Sequence, residues 1–360
     1  MRRLLVVLAL LVLPLCASAA PVTFVDAAGR TVALAGPAHR IVLADALDIL
    51  TLSFLLDDPL APVAGWAGAG RLDENLAARL HQGFPSAAAV KSVGLSASEL
   101  SAEAIIAAAP DLLIAGGGTT PTDPVLARIA EAGIATLFIY PPPGRMGEQG
   151  ANVERAISLL GAAFGTGERA ERFITFHRAR IDRIRDRLRT VADRPSVLVE
   201  AHAGSQDCCW SPGAETDYVE FAGGRNLGAG LSGIEAGRLS LEYIIAADPD
   251  VVIGTGGIHM RPEGGLVLGA GVSAGEAAQS FARIRARPGF DTLTAVRTGR
   301  VYGIWHQLLG TPFDLVALEA MARWIHPSLF ADLDPSATLR AIDGFTALPL
   351  SGKFLIEPAS

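Results

Sequence analysis

The sequence predicts an α/β protein of two similar lobes, each with a largely parallel sheet, joined by a single long helix. Three observations predict it. The first is an internal repeat: Leu100 to Gly118 reads LSAEAIIAAAPDLLIAGGG and Leu239 to Gly257 reads LSLEYIIAADPDVVIGTGG, identical at twelve of nineteen positions across an offset of 139 residues. Solenoid units recur every ~20–50 residues, so this spacing marks two homologous halves instead. The second is the content of each copy: a helical pattern, a Pro-Asp stop, and a short apolar run opening into glycines. Leu112-Leu113-Ile114 and Val251-Val252-Ile253 lack polar alternation, as strands buried on both faces of a parallel sheet do. The third is an uninterrupted helical pattern between the halves, from Gly167 to Ala192, with Phe173, Phe176, Ile181, Ile184 and Leu188 on one side and Arg and Glu on the other.

In chain order, residues 1–20 read as a signal peptide: basic Arg2 and Arg3, an apolar stretch Leu4 to Leu15, and the small-residue site Ala17 to Ala20. The apolar stretch is short of the roughly 20 residues a membrane span needs. Lipidation would fall on Cys16, but Pro14 and Leu15 precede it where lipoprotein peptidase prefers small residues, so export as a soluble chain is expected. Val22 to Leu34 reads as a strand pair turning at Asp26 to Arg30, and Arg40 to Leu43 as the first core strand. Val63 to Gly65, Leu112 to Ala115 and Thr136 to Tyr140 continue the α/β alternation. Asn152 to Gly161 is a short helix before the long connector, which Asp193-Arg194-Pro195 ends. Ser196 to Glu200, Val251 to Gly254 and Arg300 to Ile304 repeat the alternation. The expected division is therefore 21–165 for the N-terminal lobe, 166–192 for the backbone helix and 193–360 for the C-terminal lobe.

The formal charge of −7 becomes −9 once Arg2 and Arg3 are removed, which disfavours a nucleic-acid partner. Two cysteines survive processing, Cys208 and Cys209, and they are adjacent. In an oxidising compartment they form either a vicinal disulfide or a soft thiol pair, with oxidation favoured.

Several segments together resemble one family: DAAGRTVALAGPAHRIV at the mature start, the two E-x-x-x-x-x-x-P-D stretches, AGGRNLGA (222–229), RARPGFDTLTAVRTGRVYGI (285–304) and WIHPSLFADLDP (324–335). In order and spacing the chain resembles the periplasmic substrate-binding proteins of ABC importers for iron-siderophores, haem and cobalamin, over nearly all its mature length. The resemblance implies a monomeric, non-enzymatic periplasmic carrier with a ligand cleft between its lobes, docking on a permease dimer. It assigns docking to one glutamate per lobe, seven residues before the repeated Pro: Glu103 and Glu242. A bland alternative is that both are first-turn glutamates favoured by the helix dipole.

The cleft should be lined by loops after the strands. In the first lobe these carry Asp45, Trp66, Arg71, Thr119, Tyr140 and Arg145; in the second, His202, Cys208, Cys209, Trp210, His259, Met260, Arg261, Trp305 and His306. Tryptophans at strand ends suit a large planar or amphipathic chelate. A bare ion needs three or four converging side chains, and no H-x-x-x-H or C-x-x-C motif occurs. The cleft lining thus favours an intact metal chelate over a free ion, and the resemblance implies that a ferric siderophore is foremost among such chelates, with no resident metal or cofactor. Haem and cobalamin are the alternatives, with axial ligation of haem by His259, Tyr140 or Met260 left open. An enzyme using Cys208 or Cys209 as nucleophile and His202 as base lacks an orienting acid and an oxyanion loop. A chelate-processing enzyme is a sharper rival, since fold does not fix function.

Overall fold

In the computed structural model, residues 21–116, 118–141, 149–201, 209, 211, 216–229 and 238–358 are described. The expected signal peptide lies outside them. An antiparallel hairpin of β1 (Val22–Val25) and β2 (Thr31–Leu34) opens the chain. The turn forms around Asp26, whose carboxylate accepts from the backbone N–H of Ala28 and Arg30 and pairs with the Arg30 guanidinium at 2.9 Å.

Five parallel strands follow: β3 (Ile41–Leu43), β4 (Val63–Ala67), β5 (Lys91–Gly94), β6 (Leu112–Ala115) and β7 (Ala135–Phe138), in the order β5-β4-β3-β6-β7. Both faces are covered, which explains the missing polar alternation. Val42, Leu113, Ala115 and Phe138 pack with Ile105 and Ile129 of the helices Ala102–Ala108 and Pro124–Glu131. The intervening Ile41, Leu43, Leu112, Ile114 and Leu137 join the main core with Ile157 and Leu160 of the helix Gln149–Phe164. That helix is longer than its expected span of Asn152 to Gly161.

The second sheet contains β8 (Ser196–Glu200), β9 (Arg225–Asn226), β10 (Val251–Gly256), β12 (Val301–Trp305) and β14 (Leu355–Ile356), in the order β14-β12-β10-β8-β9. All neighbours are parallel except the added edge strand β14. A separate ribbon pairs β11 (Gly269–Ala270) with β13 (Gly352–Lys353).

The repeat is a repeat of physics as well as letters. Ser101 and Ser240 cap the helices Ala102–Ala108 and Leu241–Ala247, each hydroxyl accepting from a backbone N–H at 3.1 Å. The residues before the two prolines, Ala109 (φ 47°) and Asp248 (φ 40°), are left-handed. Proline bars its predecessor from the right-handed helical region, so each helix must stop there. The aspartate after each proline then clamps the lobe's first core strand. Asp111 accepts from the N–H groups of His39 and Arg40 just ahead of β3, and Asp250 accepts from the backbone and hydroxyl of Ser196 at the start of β8.

The connecting helix runs Gly167–Leu188, one turn shorter than expected at its C-terminal end. Phe173 meets Phe54 of the first half at 4.6 Å between ring centroids, and Ile181, Ile184 and Leu188 are buried as the pattern predicted. The chain end also returns to the first half: the Ala347 N–H donates to Ser53 O at 2.7 Å, and the Ser53 and Thr346 hydroxyls lie 2.7 Å apart. No described helix is long and apolar enough to cross a membrane.

Candidate functional site

In an open α/β sheet a crevice forms where the strand order reverses, beyond the carboxyl ends of the strands. The first sheet reverses between β3 and β6 and the second between β8 and β10, so each lobe has one such point. Both hold a carboxylate paired with arginine. Asp45, following β3, is buried and pairs with the Arg71 guanidinium while accepting from the Leu47 N–H at 3.0 Å. Burial pushes its carboxyl above the ordinary aspartate value against the opposing pull of Arg71. Asp48 is raised further, by complete burial and then by the charge of Asp45. In the second lobe Glu200, at the end of β8, pairs with Arg287 at 2.6 Å, and both are largely buried.

The lobes touch along a seam built from these same edges. Tyr140, after β7, donates its hydroxyl to Gly310 O at 3.0 Å. Gln307 donates its amide to Arg71 O at 2.5 Å, Arg261 bridges Glu74 at 2.8 Å, and Asn75 donates to Ala270 O at 2.7 Å. Burial, with the carboxylates of Asp48 and Asp314 adding to it, lifts the Tyr140 phenol far above its usual range, so it stays protonated and a donor.

The expected site residues divide into groups. Asp45 with Arg71, and His259 with His306 at 4.6 Å between ring centroids, are brought together; Tyr140 and Arg261 reach across the seam. Trp66 is buried within β4 and Met260 is buried beside the second sheet. Trp305 is enclosed: its indole packs on Phe354 at 5.2 Å and lies directly over Gly269. It therefore presents no open aromatic wall, because β12 is covered by the C-terminal segment that the strand pattern did not foresee. Thr119 is buried with its hydroxyl donated to Ala97 O at 3.0 Å, closing its own loop. Cys209 is buried and disulfide-bonded, and Arg287 donates to its sulfur at 3.4 Å. Arg145, His202, Cys208 and Trp210 lie outside the described residues.

Sequence reasoning missed Asp48, Glu74, Glu200, Arg287 and Gln307. Asp48 carried one signal, a second acid three residues from Asp45 in an otherwise apolar run. The other four act through partners far along the chain.

Glu103 and Glu242 sit in the first turns of the repeated helices and are fully exposed. Each carboxyl is held below its ordinary value, first by its own backbone N–H; Arg128 contributes at Glu103 and Ser240 at Glu242. Three residues on, at equivalent places in the repeat, Ile106 and Ile245 are each 39% exposed.

Residues 58–308 match the periplasmic binding protein family. The chain belongs to that family. Among solved structures, it is similar to the TroA-like periplasmic binding protein FepB from Veillonella parvula, at 23% identity and TM-score 0.82, covering 94% of this chain and 100% of that one. It is also similar to an ABC-type Fe3+-hydroxamate transport system structure from Saccharomonospora viridis, at 22% identity and TM-score 0.55, covering 85% and 99% of the two chains. A periplasmic heme-binding protein from Pseudomonas aeruginosa aligns at 22% identity and TM-score 0.53, over 81% and 94%. At these identities the likeness is one of fold. No curated protein matches the chain significantly in sequence.

Proposed function

We propose that this periplasmic binding protein captures a metal chelate, foremost a ferric siderophore, between its lobes and delivers it to a dimeric ABC permease. The reading takes residues 1–20 as an export signal, and 21–165 and 193–360 as the two lobes around the 166–192 connector. The observation that carries it is the seam itself, where loops beyond the carboxyl ends of β4 and β7 meet loops beyond those of β10 and β12. Ligands favour such edges, and Arg71, Tyr140 and Arg261 contribute contacts to that seam while His259 and His306 adjoin each other next to its second-lobe side. Delivery is supported by the exposed, ionised Glu103 and Glu242 with Ile106 and Ile245 beside them, one carboxylate and one apolar side chain per lobe. A two-fold partner with a basic pocket and an apolar rim in each subunit would fit that pattern.

The test is a titration of the mature chain with ferric siderophores, haem and a corrinoid, against free Fe, Zn and Mn salts. One tightly bound chelate per chain is expected; tight binding of a free ion with every chelate ignored overturns the reading. For delivery, Glu103→Ala with Glu242→Ala should leave affinity for the bound chelate within about twofold while uptake falls by about tenfold or more. Loss of affinity in parallel with uptake would place these carboxylates in the ligand site.

A further inference from the structure

We propose that the second lobe is the principal anchor on the permease, with Tyr243 packing into the partner beside Glu242, while Arg128 holds the first lobe's Glu103 in an internal pair. This rests on the delivery reading and makes the two docking faces unequal.

The repeat allows the faces to be compared position by position. Glu103 aligns with Glu242 and Ile106 with Ile245, but Ala104 aligns with Tyr243. Tyr243 is 49% exposed, the one exposed tyrosine of the chain's four. A lone exposed apolar side chain is ordinary on a protein surface. This one shares the short helix Leu241–Ala247 with an exposed carboxylate and with Ile245. Tyrosine brings a stiff apolar ring with a polar tip, and such side chains dominate the centres of protein–protein contacts.

The charges differ as well. Glu103 pairs at 2.5 Å with Arg128 of the helix Pro124–Glu131, so a cation of the permease must displace one already in place. In the second lobe the helix after β10, as Pro124–Glu131 comes after β6, is Ala274–Arg285. Its cations are engaged elsewhere: Arg283 donates to Gly264 O at 3.2 Å, and the Arg285 guanidinium stands 5.9 Å from the centre of the Phe281 ring. Arg297 donates to the Thr294 hydroxyl at 2.9 Å. Among the described residues no arginine or lysine pairs with Glu242, which therefore meets a partner with its charge unmatched.

The second face is also the better braced. Asp248, closing its helix, accepts from the Thr294 N–H at 2.7 Å and from the Thr294 hydroxyl at 2.6 Å. Its counterpart in the repeat, Ala109, has no carboxylate to do so. Leu241 and Ile245 lie close over Gly289, where a Cβ would stand 3.2 Å and 3.5 Å from them. A surface already fixed in its bound arrangement loses less freedom on docking.

Apolar anchor, unmatched charge and bracing all favour the same lobe. The partner that fits is a permease subunit presenting an arginine or lysine next to an apolar hollow that admits a phenol ring.

The test measures docking of the mature protein on the permease of its own importer, held in lipid nanodiscs, by interferometry. Glu242→Ala and Tyr243→Ala should each weaken docking by about tenfold, and Glu103→Ala by about twofold or less. Arg128→Ala should tighten it by up to about fivefold, the worth of an exposed ion pair, and the gain should vanish when Glu103→Ala is added. Circular dichroism should report an unchanged fold for every variant. Losses from Glu103→Ala and Glu242→Ala within twofold of each other, or a Tyr243→Ala variant that docks as the parent does, overturn the inference and leave delivery standing. Parent-like docking of the variant carrying both Glu103→Ala and Glu242→Ala removes delivery through these carboxylates, and the inference with it.

Discussion

Substituting His177 should remove a pH-dependent share of this protein's stability. The residue lies on the connecting helix with a fully buried ring, its Nδ1 3.2 Å from Glu154 and its Nε2 3.2 Å from Asp314, which is fully buried as well. Burial alone would lower its pKa, but the hydrogen bonds to Asp314 and Glu154 win and raise it to about 9. A histidine raised from 6.5 to about 9 stabilises the fold fully below pH 6.5, and the contribution is lost as pH climbs through 9. At about 1.36 kcal/mol per pH unit, that difference corresponds to about 3 kcal/mol. For a chain of about 340 residues, with an unfolding entropy of about 2.1 cal/mol/K per residue, it is a shift of about 4 °C in Tm. Denaturant midpoints of the parent and His177→Gln, measured from about pH 6 to 9.5, should therefore converge as pH rises. His177→Leu should cost more at low pH, about 3–5 kcal/mol, because Asp314 is left buried without a cation. Parallel curves for the parent and the Gln variant over the whole range would refute the charged-histidine account.

Arg287→Met should destabilise by about 3–5 kcal/mol through the buried carboxylate of Glu200, and adding Glu200→Gln should restore most of that, as chemical denaturation would report. Gly352→Ala should lower stability by about 2 kcal/mol or more, since its Cβ would stand 2.1 Å from Gly269 O on a backbone already at φ 155°; an unchanged thermal midpoint would contradict the close approach of β11 and β13.

Much of the fold was legible because its signals are local. The repeat, the apolar runs of β6 and β10 and the stripe of the connecting helix each lie within twenty or so residues, and each has a physical signature that survives without tertiary context. What escaped notice depends on distance. β5 presents only Val93 to the core and has exposed Lys91 and Ser92, so it lacks the apolar density of its neighbours. His177 sits among arginines on a charged helix, and only the arrival of Asp314 from 137 residues away makes it a buried cation. Trp305 stands at a strand end, as its position suggests, yet Phe354 and Gly269 close over it. The positions of His259 and His306 after adjacent strands were legible, and the structure brings their rings within 4.6 Å of each other. The hydrogen bond from Thr119 to Ala97 O, which closes its own loop, had no signal in the residue types.

The two lobes share a frame and differ in chemistry, and the difference has a direction. Each copy of the repeat carries the same serine cap, the same left-handed stop and the same aspartate clamp on its first strand. These fix the helix and strand against each other and set the loop beyond the glycines at the sheet's carboxyl edge. The copies part at that loop. In the first lobe Gly118 leads into Thr119, whose hydroxyl is consumed locally; in the second Gly257 leads into Ile258 and His259, whose ring meets His306. The outward faces part as well, since Glu103 is tied to Arg128 at 2.5 Å, whereas no arginine or lysine pairs with Glu242 among the described residues. A duplicated scaffold holds two loops at matching heights whatever their sequences, because the clamps that position them lie behind the loops. Substitutions in either loop can then change that loop's chemistry without disturbing the other lobe. The two loops' different residues, Thr119 in one lobe and His259 in the other, are thus carried on one shared frame.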